Sequence, residues 1–362
     1  MGGSKRAEED DFEMFGPKHL RSKRGADSKI SIDWNNEEHR RCIAACLVKG
    51  TSVMENDRIQ CRMDGDALAP PWWESFGFIR DKKFINGSKK YDKFTYGAIF
   101  KLIGSSPLRN PSAPEYVVAF RGTMLLHPKA MKDLVQDFYV LFNKVADFKR
   151  FQRAYSDVDS LLRDLGSRNL SVWIAGHSLG ASLALEIGRK LMLNENLNVP
   201  TFLFNPPHVS PGPVIDEVLT EKNKTRLYTV SYAVKFGLAN AMPWHRKRTK
   251  ELFRHLADWK PELYVNPDDW ICRGYIDYFV QREQVSKNHP RFASTAARTS
   301  YRDMFLSMFF YDKLQSHLLP SARLWTSSTR KQEAHGLRQW WKPHTDLGLT
   351  TTSYGYSFKA PS

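Results

Sequence analysis

The sequence predicts an α/β protein in which a mostly parallel central sheet carries helices on both of its faces. Short apolar segments alternate along the chain with longer segments whose apolar residues recur every three or four positions, a pattern typical of βαβ units. The composition agrees, because 362 residues with 41% hydrophobic and 26% charged residues can bury a sizeable core. No apolar run approaches the roughly 18 residues that a membrane-spanning helix needs.

The predicted elements follow one another in a regular order. Asn35 or Asn36 can cap a first helix, whose apolar face continues to Val53. A helix over residues 148–165 shows apolar residues at steps of three and four, and Gly166 ends it. The predicted strands cover residues 96–103, 115–120, 170–175, 200–204, 226–232 and 263–265, and the other predicted helices cover residues 179–193, 214–219 and 244–258.

The chain is expected to form one large domain with a tail at each end. Residues 1–30 are charged and poor in aliphatic side chains, which predicts a disordered basic tail. Residues 348–362 are rich in Ser, Thr and Gly and are predicted to form a flexible tail. Residues 31–347 form the domain, in which residues 67–73 are expected to be an apolar loop and residues 282–300 an irregular polar insertion.

Charge and cysteine content indicate which partners, metal sites and cell compartment to expect. The chain has 54 Lys and Arg against 39 Asp and Glu, and its net charge of +15 favours anionic surroundings such as acidic lipid headgroups. No recognised nucleic-acid-binding motif accompanies this charge, so no nucleic-acid partner is expected. The four cysteines lack the spacing of a metal site or a disulfide framework, and we expect them to be reduced and buried. With no secretory signal visible, the expected location is cytoplasmic, or peripheral at a membrane.

The segment Gly176-His177-Ser178-Leu179-Gly180 fits the G-x-S-x-G pattern of a nucleophile elbow. This pattern holds a serine on a sharp turn between a strand and a helix, where the glycines leave room for a strained backbone and for close packing. The context agrees, since an apolar strand ends just before the motif and an apolar helix begins just after it. Ser178 is therefore the predicted nucleophile, and His177 is expected to pack beside the elbow.

A nucleophilic serine needs a base, and the base needs an acid that orients it. In α/β-hydrolases the acid follows the serine along the chain, and the histidine base follows the acid. Asp268 and Asp269 lie on a turn directly after the strand at residues 263–265, and either aspartate fits the role. The downstream histidines are His289, His317, His335 and His344. His335 is favoured as the base because it stands at the start of a helix anchored by a pair of tryptophans.

Stabilising the oxyanion of such a reaction requires two amide donors. The backbone amide of Leu179, the residue after the nucleophile, is the first candidate. The second is expected from the loop Arg121-Gly122-Thr123, which follows a buried strand and contains a flexible glycine.

Several stretches of the chain together resemble the class 3 (fungal-type) lipases. Phe-Arg-Gly-Thr at residues 120–123 is followed by a predicted helix with Asp133 and Asp137, and then by Gly-His-Ser-Leu-Gly. The closer resemblance is to the plant branch of that family, whose members are labelled GDSL esterase/lipase-like, although no Gly-Asp-Ser-Leu occurs in this chain. The stretches that resemble this branch are residues 67–73, 263–266, 269–272, 318–325 and 334–341, and the similarity spans roughly residues 30–345.

The resemblance implies an α/β-hydrolase fold and a serine acylhydrolase that needs no metal or organic cofactor. It implies that Asp269, which precedes a short hydrophobic segment, is the acid and that His335 is the base. Thr123 matches a family hydroxyl that helps to hold the oxyanion together with the Leu179 amide. Residues 124–142 match the position of the lid helix in fungal relatives, but their apolar residues suit the core equally well, and we favour the core.

Three functions are open on the sequence alone. The leading one is hydrolysis of a lipid or other acyl ester through a Ser-His-Asp triad and an acyl-enzyme. An acyltransferase or thioesterase would use the same residues, whereas a hydrolase-fold scaffold or receptor would bind a ligand without turnover. The basic helix predicted over residues 244–258 is expected to be solvated or to contact an anionic membrane surface.

Overall fold

An eight-stranded sheet forms the centre of the protein in a computed structural model, which describes residues 10–21, 30–87, 93–103, 110–122, 148–165, 171–208, 243–288, 319–328 and 334–356. The strands lie side by side in the order of the sequence. Their bounds are Phe78–Asn86 (β1), Phe94–Leu102 (β2), Tyr116–Phe120 (β3), Val172–His177 (β4), Thr201–Phe204 (β5), Glu262–Val265 (β6), Ala322–Thr326 (β7) and Thr350–Tyr354 (β8).

The middle of the sheet is parallel and its edges are antiparallel. Strands β3 to β7 run parallel to one another, while β1 and β2 extend one edge and β8 the other in antiparallel pairing. Because successive parallel strands step in one direction, right-handed crossovers place the connecting helices on one face. The helices are Phe12–Phe15 (α1), Glu37–Ile59 (α2), Pro71–Glu74 (α3), Phe148–Leu165 (α4), Leu179–Glu195 (α5), Pro243–His255 (α6), Gly274–Asn288 (α7) and His344–Leu347 (α8), with 3-10 turns at Lys18–Leu20, Asp64–Asp66 and Leu337–Trp341.

Each face of the sheet has its own apolar core. Val118 and Ile174 point to one face, where they pack with residues of α4, α5 and α7. Val117 and Trp173 point to the other face, where the core consists of α2 and the segments around α1, α3 and residues 337–341. Side chains alternate along a strand, so the central strands are covered on both faces and appear in the sequence as apolar runs. The α/β architecture with a mostly parallel sheet and helices on both faces is confirmed.

Most of the predicted elements inside the described residues are present. The first helix begins after Asn36, whose side chain accepts a 2.8 Å hydrogen bond from the Glu38 amide and caps the helix. The helices at residues 148–165, 179–193 and 244–258 correspond to α4, α5 and α6. The predicted helix at residues 214–219, the strand at residues 226–232 and the segment 124–142 lie outside the described residues.

The prediction of two unstructured tails is wrong where the structure describes them. At the N-terminal end, Phe12 and Leu20 are buried, and the Phe12 ring packs against Trp72 with centroids 5.2 Å apart. At the C-terminal end, Thr350–Tyr354 pairs with β7, and the Tyr354 ring stacks on Phe279 at 4.5 Å. A run of threonines favours a strand once a partner edge is present, and an aromatic residue anchors it.

Two other local predictions are corrected. The apolar loop at residues 67–73 leads into Pro71–Glu74, a short helix with proline at its first position. The polar insertion at residues 282–300 begins inside Gly274–Asn288, whose inner face carries Tyr275 and Phe279. Strands β1, β7 and β8 were not predicted from the sequence. No helix in the described part of the chain is long and apolar enough to cross a membrane.

Candidate active site

The carboxyl ends of the parallel strands bring five loops to one edge of the sheet. Strands β3 to β7 share one direction, so the residues that follow them meet at the same edge. Open α/β sheets bind their ligands at this edge. Among the side chains predicted for the site, those of Ser178, Asp269 and His335 come from the loops after β4, β6 and β7.

Ser178 lies on a strained turn between β4 and α5. Its backbone has φ 51° and ψ −123°, a left-handed φ that a non-glycine residue adopts only when its surroundings enforce it. A Cβ on Gly180 would lie 2.5 Å from the carbonyl oxygens of Phe120 and Arg121, and a Cβ on Gly176 would collide with the backbone of Gly180. Both glycines of the motif are therefore required for the strand, the turn and the helix to pack this closely.

The loop after β3 lies against this turn. A Cβ on Gly122 would lie 3.2 Å from the Ser178 Cβ. Arg121 anchors the loop, since its amide and its guanidinium Nε donate to the carbonyl oxygens of Tyr96 and Thr95. Thr123 lies outside the described residues. The amide of Leu179 begins α5, and no hydrogen-bond partner for it lies among the described residues.

Two hydrogen bonds join the predicted nucleophile, base and acid. His335 Nε2 lies 3.0 Å from Ser178 Oγ, and His335 Nδ1 lies 2.8 Å from Asp269 Oδ2. An ionised carboxylate only accepts hydrogen bonds, so Nδ1 carries the ring proton and Nε2 is free to accept the serine hydroxyl proton. Asp268 is exposed and its amide donates to Asn266 Oδ1, so the structure brings Asp269 and not Asp268 to the histidine.

Of the other downstream histidines, the structure describes only His344, which is not part of this arrangement. His289 and His317 lie outside the described residues. His344 begins α8, where its amide donates to Glu38 Oε2 and its ring lies 5.9 Å from the Trp325 ring. Burial lowers the pKa of His344, and the nearby Arg41 guanidinium acts in the same direction.

Asp269 is a buried carboxylate that several donors keep ionised. It is 2% exposed, and burial alone would raise its pKa. The His335 ring and hydrogen bonds from His335, Cys272 and Asn205 outweigh burial and lower the pKa of Asp269 overall. Its Oδ1 also accepts from the Ile271 amide at 3.1 Å.

Cys272 is one of the partners of Asp269 that the sequence did not indicate. Its thiol donates to Asp269 Oδ2 at 3.0 Å. Burial and the adjacent Asp269 charge raise the pKa of Cys272 well above its usual value, so the sulfur keeps its proton and remains a donor. The expectation that the cysteines are buried holds for Cys42, Cys46 and Cys272, whereas Cys61 is exposed, and all four are free.

Side chains from other loops hold the turn that carries His335. Gln339 Nε2 donates to the carbonyl oxygens of Ala334 and Gly336, and Asn266 Nδ2 donates to Gln339 Oε1. His177 Nε2 lies 2.9 Å from the carbonyl oxygen of His335. These contacts fix the backbone on both sides of the imidazole.

His177 packs beside the elbow, as the sequence predicts. Its ring centroid is 5.2 Å from that of His335, and its Nε2 must be protonated because it faces a carbonyl oxygen. Burial lowers the pKa of His177 to about 3, and the neighbouring His335 adds to the effect. His177 is therefore a neutral hydrogen-bond donor. No cluster of three His, Cys, Asp or Glu side chains that could hold a metal ion occurs among the described residues.

Comparison with known proteins places the chain among the esterases. No protein-family model matches it. A protein of Arabidopsis thaliana named GDSL esterase/lipase is 32% identical over 369 residues, which cover 97% of this chain and 99% of the relative. An alignment of that extent relates two whole chains, and it defines this protein as a carboxylic ester hydrolase of the esterase or lipase type. The chain belongs to the GDSL esterase/lipase family, in agreement with the plant resemblance read from its sequence.

Proposed function

We propose that the chain hydrolyses a lipid or other acyl ester by a serine mechanism. The observation that carries the proposal is the hydrogen-bonded series Ser178, His335 and Asp269, which come from three separate loops and meet at one sheet edge. Ion pairs and buried histidines are common elsewhere in proteins, but a serine on a strained turn facing such a pair is typical of a nucleophile.

The geometry gives each residue a role. Ser178 Oγ attacks the ester carbonyl carbon while His335 Nε2 takes the hydroxyl proton. Asp269 holds the imidazole in the tautomer that can accept this proton, and its charge stabilises the imidazolium. His335 then gives the proton to the leaving alcohol, and a water molecule that it activates hydrolyses the acyl-enzyme and regenerates Ser178.

The oxyanion is assigned to two donors. The Leu179 amide lies at the N-terminus of α5, where the helix dipole also favours negative charge. Thr123 supplies the second donor, because it directly follows Gly122, which packs against Ser178.

The fold is assigned to the α/β-hydrolases, and within them to the class 3 lipase-like group. Support comes from the nucleophile on the turn after a central parallel strand and from the order of serine, aspartate and histidine in the chain. We place the protein in the cytoplasm, with contact to anionic membranes through the exposed Lys247, Lys250 and Arg254 of α6. This contact is electrostatic, since Phe253 and Leu256 of the same segment are buried in the protein.

A chain-length series of p-nitrophenyl esters tests the proposal on the wild type and on Ser178→Ala. The wild type is expected to hydrolyse the esters and to react with a fluorophosphonate probe. Ser178→Ala is expected to lose at least ~10⁴-fold in kcat and all labelling, with an unchanged melting temperature, because only the nucleophilic hydroxyl is removed. Equal activity of the two proteins would refute the serine mechanism.

Two additional readouts separate the alternatives. Addition of an alcohol acceptor distinguishes an acyltransferase, which would form a new ester in place of the free acid. A wild type that neither labels nor turns over any ester would favour the scaffold or receptor.

A further inference from the structure

Asn205 is a buried side chain at the edge of the sheet where the candidate site lies, and the mechanism above does not use it. It follows the last residue of β5 and is 0% exposed. Its backbone amide donates to the Tyr264 carbonyl oxygen of β6. Its φ is +48°, a left-handed value that asparagine and glycine adopt most readily. The backbone at this position therefore restricts which residues fit.

The side-chain amide of Asn205 makes three hydrogen bonds with nitrogen or oxygen partners and a longer one, at 3.6 Å, from Nδ2 to Cys272 Sγ. Nδ2 donates to Asp269 Oδ2 at 2.7 Å and to the Ala334 carbonyl oxygen at 2.9 Å, and Oδ1 accepts from Trp340 Nε1 at 2.5 Å. The orientation of the amide follows from chemistry, because an indole N–H can only donate and must face the amide oxygen. The two protons of the amide therefore point at the carboxylate and at the carbonyl.

These two acceptors belong to the two halves of the acid–base pair. Asp269 lies on the loop after β6, and Ala334 is the residue directly before His335 on the loop after β7. Gln339 also bonds the Ala334 carbonyl oxygen but has no described contact with Asp269. A single planar NH₂ group thus sets the position of the carboxylate relative to the backbone of the histidine.

We propose that Asn205 is a positioning residue that keeps Asp269 and His335 in register for proton transfer, an inference that rests on the proposed serine mechanism. Without the amide, the carboxylate loses a donor on the oxygen that faces His335, and one restraint on the histidine turn disappears. The imidazole then leaves its productive orientation toward Ser178. Misplacement by about 1 Å can cost about 100-fold in rate.

Asn205→Gly tests the proposal, because glycine accepts the left-handed backbone and introduces no charge. We expect kcat for a p-nitrophenyl ester to fall about 100-fold while KM stays within about threefold, since the substrate-binding groups remain. The matched control is Thr201→Val on β5, the strand that precedes Asn205, which removes the buried hydrogen bond from Thr201 Oγ1 to the Val199 carbonyl oxygen. This control should lose stability but keep kcat within about twofold.

A second readout needs no turnover. The His335 Nδ1 proton that bonds Asp269 gives a far-downfield ¹H NMR signal, which His335→Ala assigns by its loss. The signal should be present in the wild type, move or vanish in Asn205→Gly and persist in Thr201→Val. The proposal is overturned if the signal is unchanged in Asn205→Gly, or if the wild type shows no such signal. Both outcomes hold whether or not the protein turns over esters. A wild type that shows the signal but has no Ser178-dependent activity refutes the serine mechanism alone.

Trp340→Phe keeps the test decisive if Asn205→Gly does not fold. It removes the donor that orients the amide and leaves Asn205, Asp269 and His335 in place. We expect a smaller change in the same direction, with kcat reduced about fivefold and the NMR signal shifted. Values of kcat and signal equal to those of the wild type would overturn the proposal.

Discussion

Ser178 is held by its own backbone, whereas Asp269 and His335 are held by side chains from other segments. The serine turn depends on Gly176 and Gly180, which lie within two residues of it and allow close backbone contact. Asp269 and His335, the proposed acid and base, depend on hydrogen bonds between residues distant in sequence, such as Asn205 and Asp269, which are 64 positions apart. The two halves of the site therefore fail in different ways when they are mutated.

The difference concerns how each half tolerates change. The serine turn is limited by steric fit, so added atoms should damage it most. The acid–base half is limited by satisfied buried polar groups, where a lost donor leaves an unpaired acceptor out of contact with water. Substitutions that add or remove single atoms can separate the two cases.

Asp269→Asn should have the largest effect in the acid–base half. An amide at this position favours the wrong histidine tautomer, and the same substitution in the catalytic triad of a serine protease lowers kcat about 10⁴-fold. Asp268→Asn is the matched control, because the Asp268 side chain is exposed beside the same turn. Its kcat should stay within about threefold of the wild type. Equal losses in the two variants would place the acid elsewhere.

Gly180→Ala should damage the serine turn through a single added carbon atom. The new Cβ meets the Phe120 and Arg121 carbonyl oxygens at 2.5 Å, and backbone atoms cannot move aside cheaply. We expect a loss of about 3 kcal/mol in the free energy of unfolding and about 100-fold in kcat. Gly65→Ala is the control, since nothing lies within 4 Å of its Cβ position. A Gly180→Ala protein as active and stable as Gly65→Ala would contradict the steric account.

Cys272→Ala should have a smaller effect, because Asp269 keeps its other donors. Loss of the thiol donor should lower kcat about tenfold, which matches a charge-assisted hydrogen bond. Cys272→Ser retains a donor and should stay within about threefold of the wild type. Activity assays and melting curves on both variants separate the hydrogen bond from packing. Identical losses for serine and alanine would show that the sulfur acts only by filling space.

The turn that carries Ser178 could be predicted from the sequence because five consecutive residues specify it. The choice between Asp268 and Asp269 depends on the conformation of the turn that carries them. This conformation leaves Asp268 exposed and buries Asp269. Asn205 was not identified, although an asparagine directly after a buried strand at the carboxyl edge is a usable signal. Its partners Trp340 and Asp269 lie far along the chain, and no local pattern reports such contacts.

The same reasoning explains which parts of the fold were missed. Strands β3 to β5 are buried on both faces and appear as apolar runs, so they were predicted. The edge strand β1 contains the charged run Arg80-Asp81-Lys82-Lys83, and most of its residues are exposed. Strand β8 has four exposed residues and exists because β7 offers a free edge. Edge strands are defined by their partners more than by their own composition.

The smallest expected effect concerns His177, which links the two halves of the site. In the folded protein burial lowers the pKa of His177 to about 3. The unfolded chain binds a proton at this histidine below about pH 6.5, so between about pH 3 and 6.5 it holds more protons than the folded chain. The stability contributed by neutral His177 is therefore complete above about pH 6.5 and is lost as the pH falls through this window.

His177→Gln tests this dependence, because the glutamine amide can still donate to the His335 carbonyl oxygen but does not titrate. Melting temperatures of the variant and the wild type should be similar near neutral pH, and the wild type should lose about 3 °C more than the variant on going down to about pH 5. His177→Phe removes the hydrogen bond as well, so its curve should run parallel to that of His177→Gln at lower temperatures. Parallel melting curves for the wild type and His177→Gln would show that His177 titrates alike in the folded and unfolded chains. The contact between the serine turn and the histidine turn would then not depend on a neutral ring.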